Sequence, residues 1–179
     1  MNFCSQCGAK VTRRIPPGDH LPRYVCDHCG TIHYQNPKLV VGCVPEDGGR
    51  ILICKRAIEP RRGYWTVPAG FMENGETLQQ AAERESHEEA LARVEIGSLV
   101  SIVHVLQVGQ VHVFFRARLA DPEFGVGPES LESKLVTEAE IPWDDLAFPS
   151  ITFTLRRYLE DRAAGVERHH FTSFDYRSR

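Results

Sequence analysis

Residues 66–94 read TVPAGFMENGETLQQAAERESHEEALARV, and the second half of this stretch decides the fold. From Thr77 to about Ala92 no glycine or proline interrupts the chain, which predicts a helix capped by Thr77 or Glu76. Leu78, Ala81, Ala82 and Leu91 are expected to form its packed side. The same helix carries Glu85, Glu88 and Glu89. At ~100° per residue, Glu89 falls about 40° from Glu85, and Glu88 about 60° to the other side. Three carboxylates therefore share one sector, where like charges destabilise a helix. A solvated acidic face is one account of them. The other is a hard, oxygen-preferring divalent cation held between them, Mg²⁺ above all or Mn²⁺.

Upstream, Lys38–Val44 (KLVVGCV) is a continuous β-branched run and Arg50–Lys55 (RILICK) a second, separated by the turn signal Glu46-Asp-Gly-Gly49. Together they predict a hairpin of buried strands, with Cys43 and Cys54 as small buried hydrophobes. Downstream, Ile96–Gln107 and Gln110–Leu119 are strand-like around Val108-Gly109, and Asp121–Pro128 is a loop. Leu131–Val136 reads as a strand and Ile151–Ala163 as a helix. Strands and helices mixed without regular alternation predict an α/β or α+β sandwich. The tail over 165–179 has no clear pattern and is expected to be partly disordered.

At the N-terminus, Cys4-Ser-Gln-Cys7-Gly8 and Cys26-Asp-His-Cys29-Gly30 form two C-x-x-C-G units. Two residues between ligands let one turn aim both sulfurs at one ion, and the following glycine can take the left-handed conformation of that turn. Cys4, Cys7, Cys26 and Cys29 are thus expected to hold a structural Zn²⁺ in a closed tetrahedral site. His28 and His33 are alternative ligands left over by a shell that four cysteines already fill, and His20 and His28 are read as solvated loop residues. A zinc ribbon over 1–34 is too short to fold on its own core, so metal binding supplies its folding free energy. Gln35-Asn-Pro37 links it to a second domain over 35–164.

The 179 residues suit one domain plus a small appendage, and a formal net charge of −3 offers no general attraction to nucleic acid or anionic membrane. No apolar run is long enough to span a bilayer, and MNFCSQCGAK lacks the features of a secretory signal. A cytoplasmic location with reduced thiols is therefore expected.

Gly70, Glu76, Arg84, Glu85, Glu88 and Glu89 fill six positions of the pattern G-x5-E-x7-R-E-U-x-E-E-x-G-U, where U is bulky and aliphatic. With each residue type near 5–7% of an average sequence, six chance matches have odds of about 10⁻⁷ per start point. The stretch resembles the Nudix box. It departs from the box at Ser86, usually aliphatic, at Leu91, usually the glycine that ends the helix, and at Ala92, a small version of the last aliphatic. Without that glycine the helix is free to run on to Arg93. The order of the ribbon, YQNPK, VVGC, LICKR, YWTVPAGFMENGET, GPESLE and EIPWDDLAF is similar to zinc-ribbon Nudix proteins related to plant chloroplast FAD and ADP-ribose pyrophosphatase, from about Cys4 to Asp161.

The resemblance implies a Nudix α/β/α sandwich with a mixed sheet, and Mg²⁺-dependent hydrolysis of a nucleoside diphosphate linked to another group. It implies Gly70 (through its carbonyl), Glu85, Glu88 and Glu89 as metal ligands, with Arg84 paired to Glu76. Glu88, Glu89, Glu129 and Glu132 are candidates for the carboxylate that takes the proton from water. Arg56, Arg61 and Arg62 can steady a phosphate or ribose, and Tyr64 and Trp65 can stack on a ring. FAD and ADP-ribose are the expected substrates. NADH ranks below them because the string SQPWPFP of NADH pyrophosphatases is absent. A third reading is a nucleic-acid- or protein-binding ribbon on an inert Nudix scaffold, which the intact glutamate and arginine set argues against. A homodimer is expected from the resemblance alone.

Overall fold

A computed structural model describes residues 1–175. The chain divides into two compact units, Met1–Pro37 and the part from Lys38 onward. The first unit carries β1 (Val11–Arg14), β2 (Arg23–Cys26) and β3 (Ile32–His33) in one antiparallel sheet. Each C-x-x-C segment makes a tight knuckle: Gly8 N–H donates to the Cys4 carbonyl (2.9 Å) and Gly30 N–H to the Cys26 carbonyl (3.0 Å). Both glycines sit at φ 74°, the left-handed region that a side chain disfavours.

The second unit is built on β4 (Lys38–Asp47), β5 (Arg50–Arg56), β6 (Trp65–Thr66), β7 (Ala69–Phe71), α1 (Leu78–Ala90), β8 (Val94–Val105), β9 (Gln110–Leu119), β10 (Ser130–Val136), α2 (Pro149–Ala164) and β11 (His170–Phe174). The sheet runs β10-β5-β4-β9-β8-β11, with β6 beside β5 and β7 beside β4. It is mixed: β4 with β9 and β8 with β11 are parallel, the other pairs antiparallel. Alternation along the strands makes the sandwich. Ile51, Ile53 and Phe114 point into a core closed by Ile151, Leu155 and Leu159 of α2. Their neighbours turn the other way: Val113 and Phe115 pack with Ala81 and Ala82 of α1, and Leu52 and Cys54 with Ala90. Cys43 and Cys54 are buried free thiols, as expected.

A buried polar ladder ties α2 to the sheet. Ser101 Oγ lies 2.7 Å from Thr154 Oγ1, Thr154 donates to the Ser150 carbonyl (2.8 Å), and Ser150 Oγ lies 2.9 Å from His112 Nδ1. His112 Nε2 lies 2.9 Å from Gln110 Oε1, so a neutral ring that donates from Nε2 and accepts at Nδ1 satisfies both partners.

Two expectations about the end of the first helix are corrected, and the tail carries a strand that its sequence did not announce. Part of the tail is ordered: His170–Phe174 pairs in parallel with Ser101–Val105. The fully buried Asp161 carboxylate holds that segment, accepting from Arg116 (2.7 Å), the Arg168 amide (3.0 Å) and lying 3.0 Å from His170 Nε2. The end of the tail expectation, residues 176–179, lies outside the described residues. The helix does not run on to Arg93. It ends at Ala90 because Leu91 takes φ 50°, ψ 22°, the left-handed conformation of a capping glycine, and its amide donates to His87. Leu91 consequently lies half-exposed rather than on the packed side.

Candidate active site

Helix α1 begins with a reciprocal cap: Gln80 N–H donates to Thr77 Oγ1 (3.2 Å), and Thr77 N–H donates to Gln80 Oε1 (2.8 Å). One face then presents Glu85 and Glu89 to the β7 backbone. The Glu85 carboxylate occupies the space beside Gly70, 2.3 Å from where a Cβ would stand, so any side chain there would have to push the carboxylate aside. Glu89 Oε2 accepts from the Ala69 amide at 3.4 Å.

Arg84 organises the near end with all five of its N–H groups. It forks onto Glu76 (3.0 and 2.8 Å), bonds Glu85 (2.7 Å) and Glu88 (2.9 Å), and reaches the Phe71 carbonyl (3.0 Å). The fork holds the Glu76 carboxyl below its ordinary value. Glu85 and Glu89 are both buried, at 7% and 5% exposure. Burial raises the Glu85 carboxyl, and burial together with the Glu85 charge raises Glu89 to about 8. Glu88 differs from the other two, because its side chain is 52% exposed and its carboxylate turns to Arg84.

The two downstream candidates separate. The Glu129 charge bears on both Glu85 and Glu89, whereas Glu132 sits exposed opposite Lys55 across the β10–β5 pairing. Arg56 is near enough to offset Glu89, donates to the Pro60 carbonyl (3.0 Å), and lies over the Phe148 ring. Arg61 and Arg62 are exposed, with the Arg61 guanidinium 5.0 Å from the Tyr64 ring. Trp65 is a correction. It is 7% exposed and belongs to the α2-side core, with Lys134 (4.2 Å) and Lys55 (5.6 Å) over its ring, so it offers no free face for stacking.

Ser86, the first of the three residues out of pattern, is fully buried. It donates to the Ala82 carbonyl (2.8 Å) and meets Cys43 Sγ at 3.2 Å. The sequence reading also missed the Phe71 carbonyl and the Ala69 amide, since backbone groups carry no residue signal, and the contacts of Gly125 and Gly127.

In the first unit, Cys4, Cys7, Cys26 and Cys29 bring their sulfurs within 4.8 Å of one another, the one cluster of metal-ligating groups this tight among the described residues. Thr31 Oγ1 lies 3.0 Å from Cys29 Sγ, where its hydroxyl can donate to the thiolate that Zn²⁺ requires. His33 reaches this cluster only as a neighbour of Cys4 Sγ, at 3.3 Å. In the second unit, two buried carboxylates packed on the Gly70 backbone suit a hard divalent cation, which would offset the repulsion that burial otherwise leaves.

The chain matches the NUDIX domain family over residues 36–160. It belongs to the NUDIX family. The Nudix N-terminal zinc-ribbon family matches residues 2–35. Members of the NUDIX family use Mg²⁺ or Mn²⁺, and the ribbon with its four cysteines is suited to structural zinc. A crystal structure of a NUDIX hydrolase from Nitrosomonas europaea is 55% identical, covers 97% of this chain and 99% of that one, and superposes with a TM-score of 0.94. A crystal structure of an ADP-ribose pyrophosphatase from Streptococcus suis is 22% identical over 76% of this chain and 99% of that one, with a TM-score of 0.61, and shares the fold. Among curated relatives, the NAD-capped RNA hydrolase NudC of Klebsiella pneumoniae is 32% identical over 90% of this chain and 60% of its own length. The NudC of Vibrio parahaemolyticus is 36% identical over 50% of this chain and 32% of its own length. The Nudix chain thus spans between about a third and three fifths of the curated relatives it matches. Among the described residues, no helix is long and apolar enough to cross a membrane.

Proposed function

We propose that this Nudix hydrolase cleaves the pyrophosphate bridge of ADP-containing dinucleotides, FAD to FMN and AMP and ADP-ribose to AMP and ribose 5-phosphate. The observation that carries the reading is the pair Glu85 and Glu89, buried on the Gly70–Ala69 backbone and braced by the five-bonded Arg84. Glu85, Glu89 and the Gly70 carbonyl, with Glu88 once released from Arg84, would hold the divalent cation. When bound, the cation supplies the positive charge that two repelling phosphates need before a nucleophile can approach. Arg84 keeps Glu85 oriented and joins the helix to the Glu76 loop. Glu129, in preference to Glu132, accepts the proton of the attacking water. The water oxygen bonds to one phosphorus, the P–O–P bridge opens, and the bridging oxygen leaves with the second phosphate. Arg56, whose charge reaches Glu89, and Arg61 and Arg62, which precede the box in the chain, are assigned to the distal phosphate and sugar, and Tyr64 to stacking on a ring.

A second reading, NADH or a related nicotinamide dinucleotide as the preferred substrate, is favoured by the similarity to NudC proteins. The absence of SQPWPFP weighs against it. Apolar contact with the distal half discriminates by only about 1–3 kcal/mol, so overlap among these substrates is expected. The test is kcat/KM for FAD, ADP-ribose, NADH and nucleoside triphosphates under identical Mg²⁺, with products separated by chromatography. NADH ahead of both others by tenfold or more selects the second reading. Cleavage of a nucleoside triphosphate alone sinks the dinucleotide assignment. A homodimer belongs to the same proposal, and sedimentation equilibrium checks it.

A further inference from the structure

Two glycines outside the box close the end of the glutamate helix. Gly125 N–H donates to the Ala90 carbonyl (2.7 Å) and Gly127 N–H to the Glu89 carbonyl (3.1 Å). Those carbonyls belong to the last turn of α1, which has no helical partners to offer them. Gly127 rests directly on that turn. A Cβ there would overlap the Glu88 carbonyl oxygen and lie 2.7 Å from Glu88 C and 2.9 Å from Glu89 C. All three obstacles are backbone, so none can swing aside. From Gly127 the chain turns at once: Ser130 N–H closes onto the Gly127 carbonyl (3.0 Å), with Glu129 inside the turn. The Glu129 carbonyl accepts from Ala57 N–H (2.8 Å), just past the end of β5. The backbone of Glu129 is therefore pinned to α1 on one side and to β5 on the other.

We propose that Gly127 is a positioning residue, which sets the reach of Glu129 toward Glu85 and Glu89 by letting the turn 127–130 sit on the backbone of the helix's last turn. The proposal rests on the reading of Glu129 as the proton acceptor. Gly125 supports it from the next register. A Cβ there would meet only Leu91 Cδ1 at 3.1 Å, the far end of a flexible side chain, so its substitution is the milder one.

The experiment compares Gly127→Ala, Glu129→Gln and the double variant in the full chain, with ADP-ribose and saturating Mg²⁺. Gly127→Ala is expected to lower kcat about tenfold or more while KM moves less than about threefold. The double variant should be no slower than Glu129→Gln within about threefold, because a displaced Glu129 and an absent one fail at the same step. Losses that multiply, or an unchanged kcat in Gly127→Ala, overturn the proposal. Full activity in Glu129→Gln instead sinks the reading of Glu129 and the proposal with it. Hydrogen exchange of the amides over 125–130 gives a readout without turnover. Gly127→Ala should speed it about tenfold with β9 unchanged, and unaltered exchange counts against the brace. Should Gly127→Ala not fold, Gly125→Ala carries the test: its smaller loss of kcat must disappear when Leu91→Ala opens the 3.1 Å contact, and a loss that persists overturns the proposal.

Discussion

A carboxylate that is 5% exposed, as Glu89 is, gives up hydration that water would otherwise supply. Glu85 lies one helical turn away at 7%, where burial raises its own carboxyl and its charge adds to the burial that raises Glu89. A fold gains nothing from this pair unless a cation joins it. Glu85→Gln and Glu89→Gln are therefore expected to retain or gain stability without metal and to lose about 10²-fold in kcat with excess Mg²⁺. Steady-state kinetics and thermal denaturation on the same preparations check both halves. Near-normal kcat in both variants would remove the metal assignment. At this scale the sequence was most legible where spacing alone sets geometry, as between Glu85 and Glu89. It was least legible where burial decides. Trp65 and Tyr64 are neighbours of equal promise on paper, yet packing places Trp65 in the core and leaves Tyr64 beneath Arg61. Glu88 shares the sector of its two partners, but Arg84 draws it outward.

Helix α1 was readable because local and tertiary demands agree along it. Thr77 caps it, Gln80 answers from the third position, and Ala81 and Ala82 fit under a sheet. Thr77→Ala is expected to destabilise the second unit by about 1 kcal/mol, the usual worth of such a cap. Urea denaturation should show a lower midpoint with an unchanged slope, and an unchanged midpoint would mean that packing alone fixes the helix start. The hairpin β4–β5 was readable for a similar reason, since its β-branched runs are buried on both faces. Two features had no local signal. Leu91 adopts a backbone conformation that costs a non-glycine residue about 1–2 kcal/mol, and its bond to His87, the Ala92 bond to the Ser86 carbonyl (3.3 Å) and the brace from Gly125 to Ala90 hold it there. Strand β11 is five residues long and pairs with a strand 69 positions earlier, anchored through Asp161 and His170. Neither contact is written in its own composition.

At the scale of the molecule the two units rest on different physics. The ribbon over Met1–Pro37 buries few apolar side chains and depends on its four sulfurs. Elemental analysis should find about one zinc per chain, and Cys26→Ser should lower stability or solubility before it touches chemistry. A cysteine variant with native stability, no zinc and no activity would contradict this. The second unit depends on its core, and there pH has a defined sign. Burial lowers His112 to about 4 from an ordinary 6.5. Between those values the unfolded chain binds more protons than the folded one, so stability rises with pH. The contribution is fully present above pH 6.5 and is lost as pH falls toward 4. Between pH 7.5 and pH 5 the loss is about 2 kcal/mol, at about 1.36 kcal/mol per unit. Glu89 has the opposite slope, because its folded value lies above its unfolded one and its contribution is lost as pH rises toward 8. A comparison with His112→Gln isolates the histidine, since the Glu89 slope is common to both proteins and cancels in the difference. Both tryptophans, Trp65 and Trp143, belong to the second unit's core, so tryptophan fluorescence in urea reports that unit without interference from the ribbon. Wild type should lose about 2 kcal/mol more than His112→Gln between pH 7.5 and pH 5. Equal slopes for the two would show that the ring is protonated within its ladder of Ser150 and Gln110 at no cost, and that the neutral tautomer assigned to it is wrong.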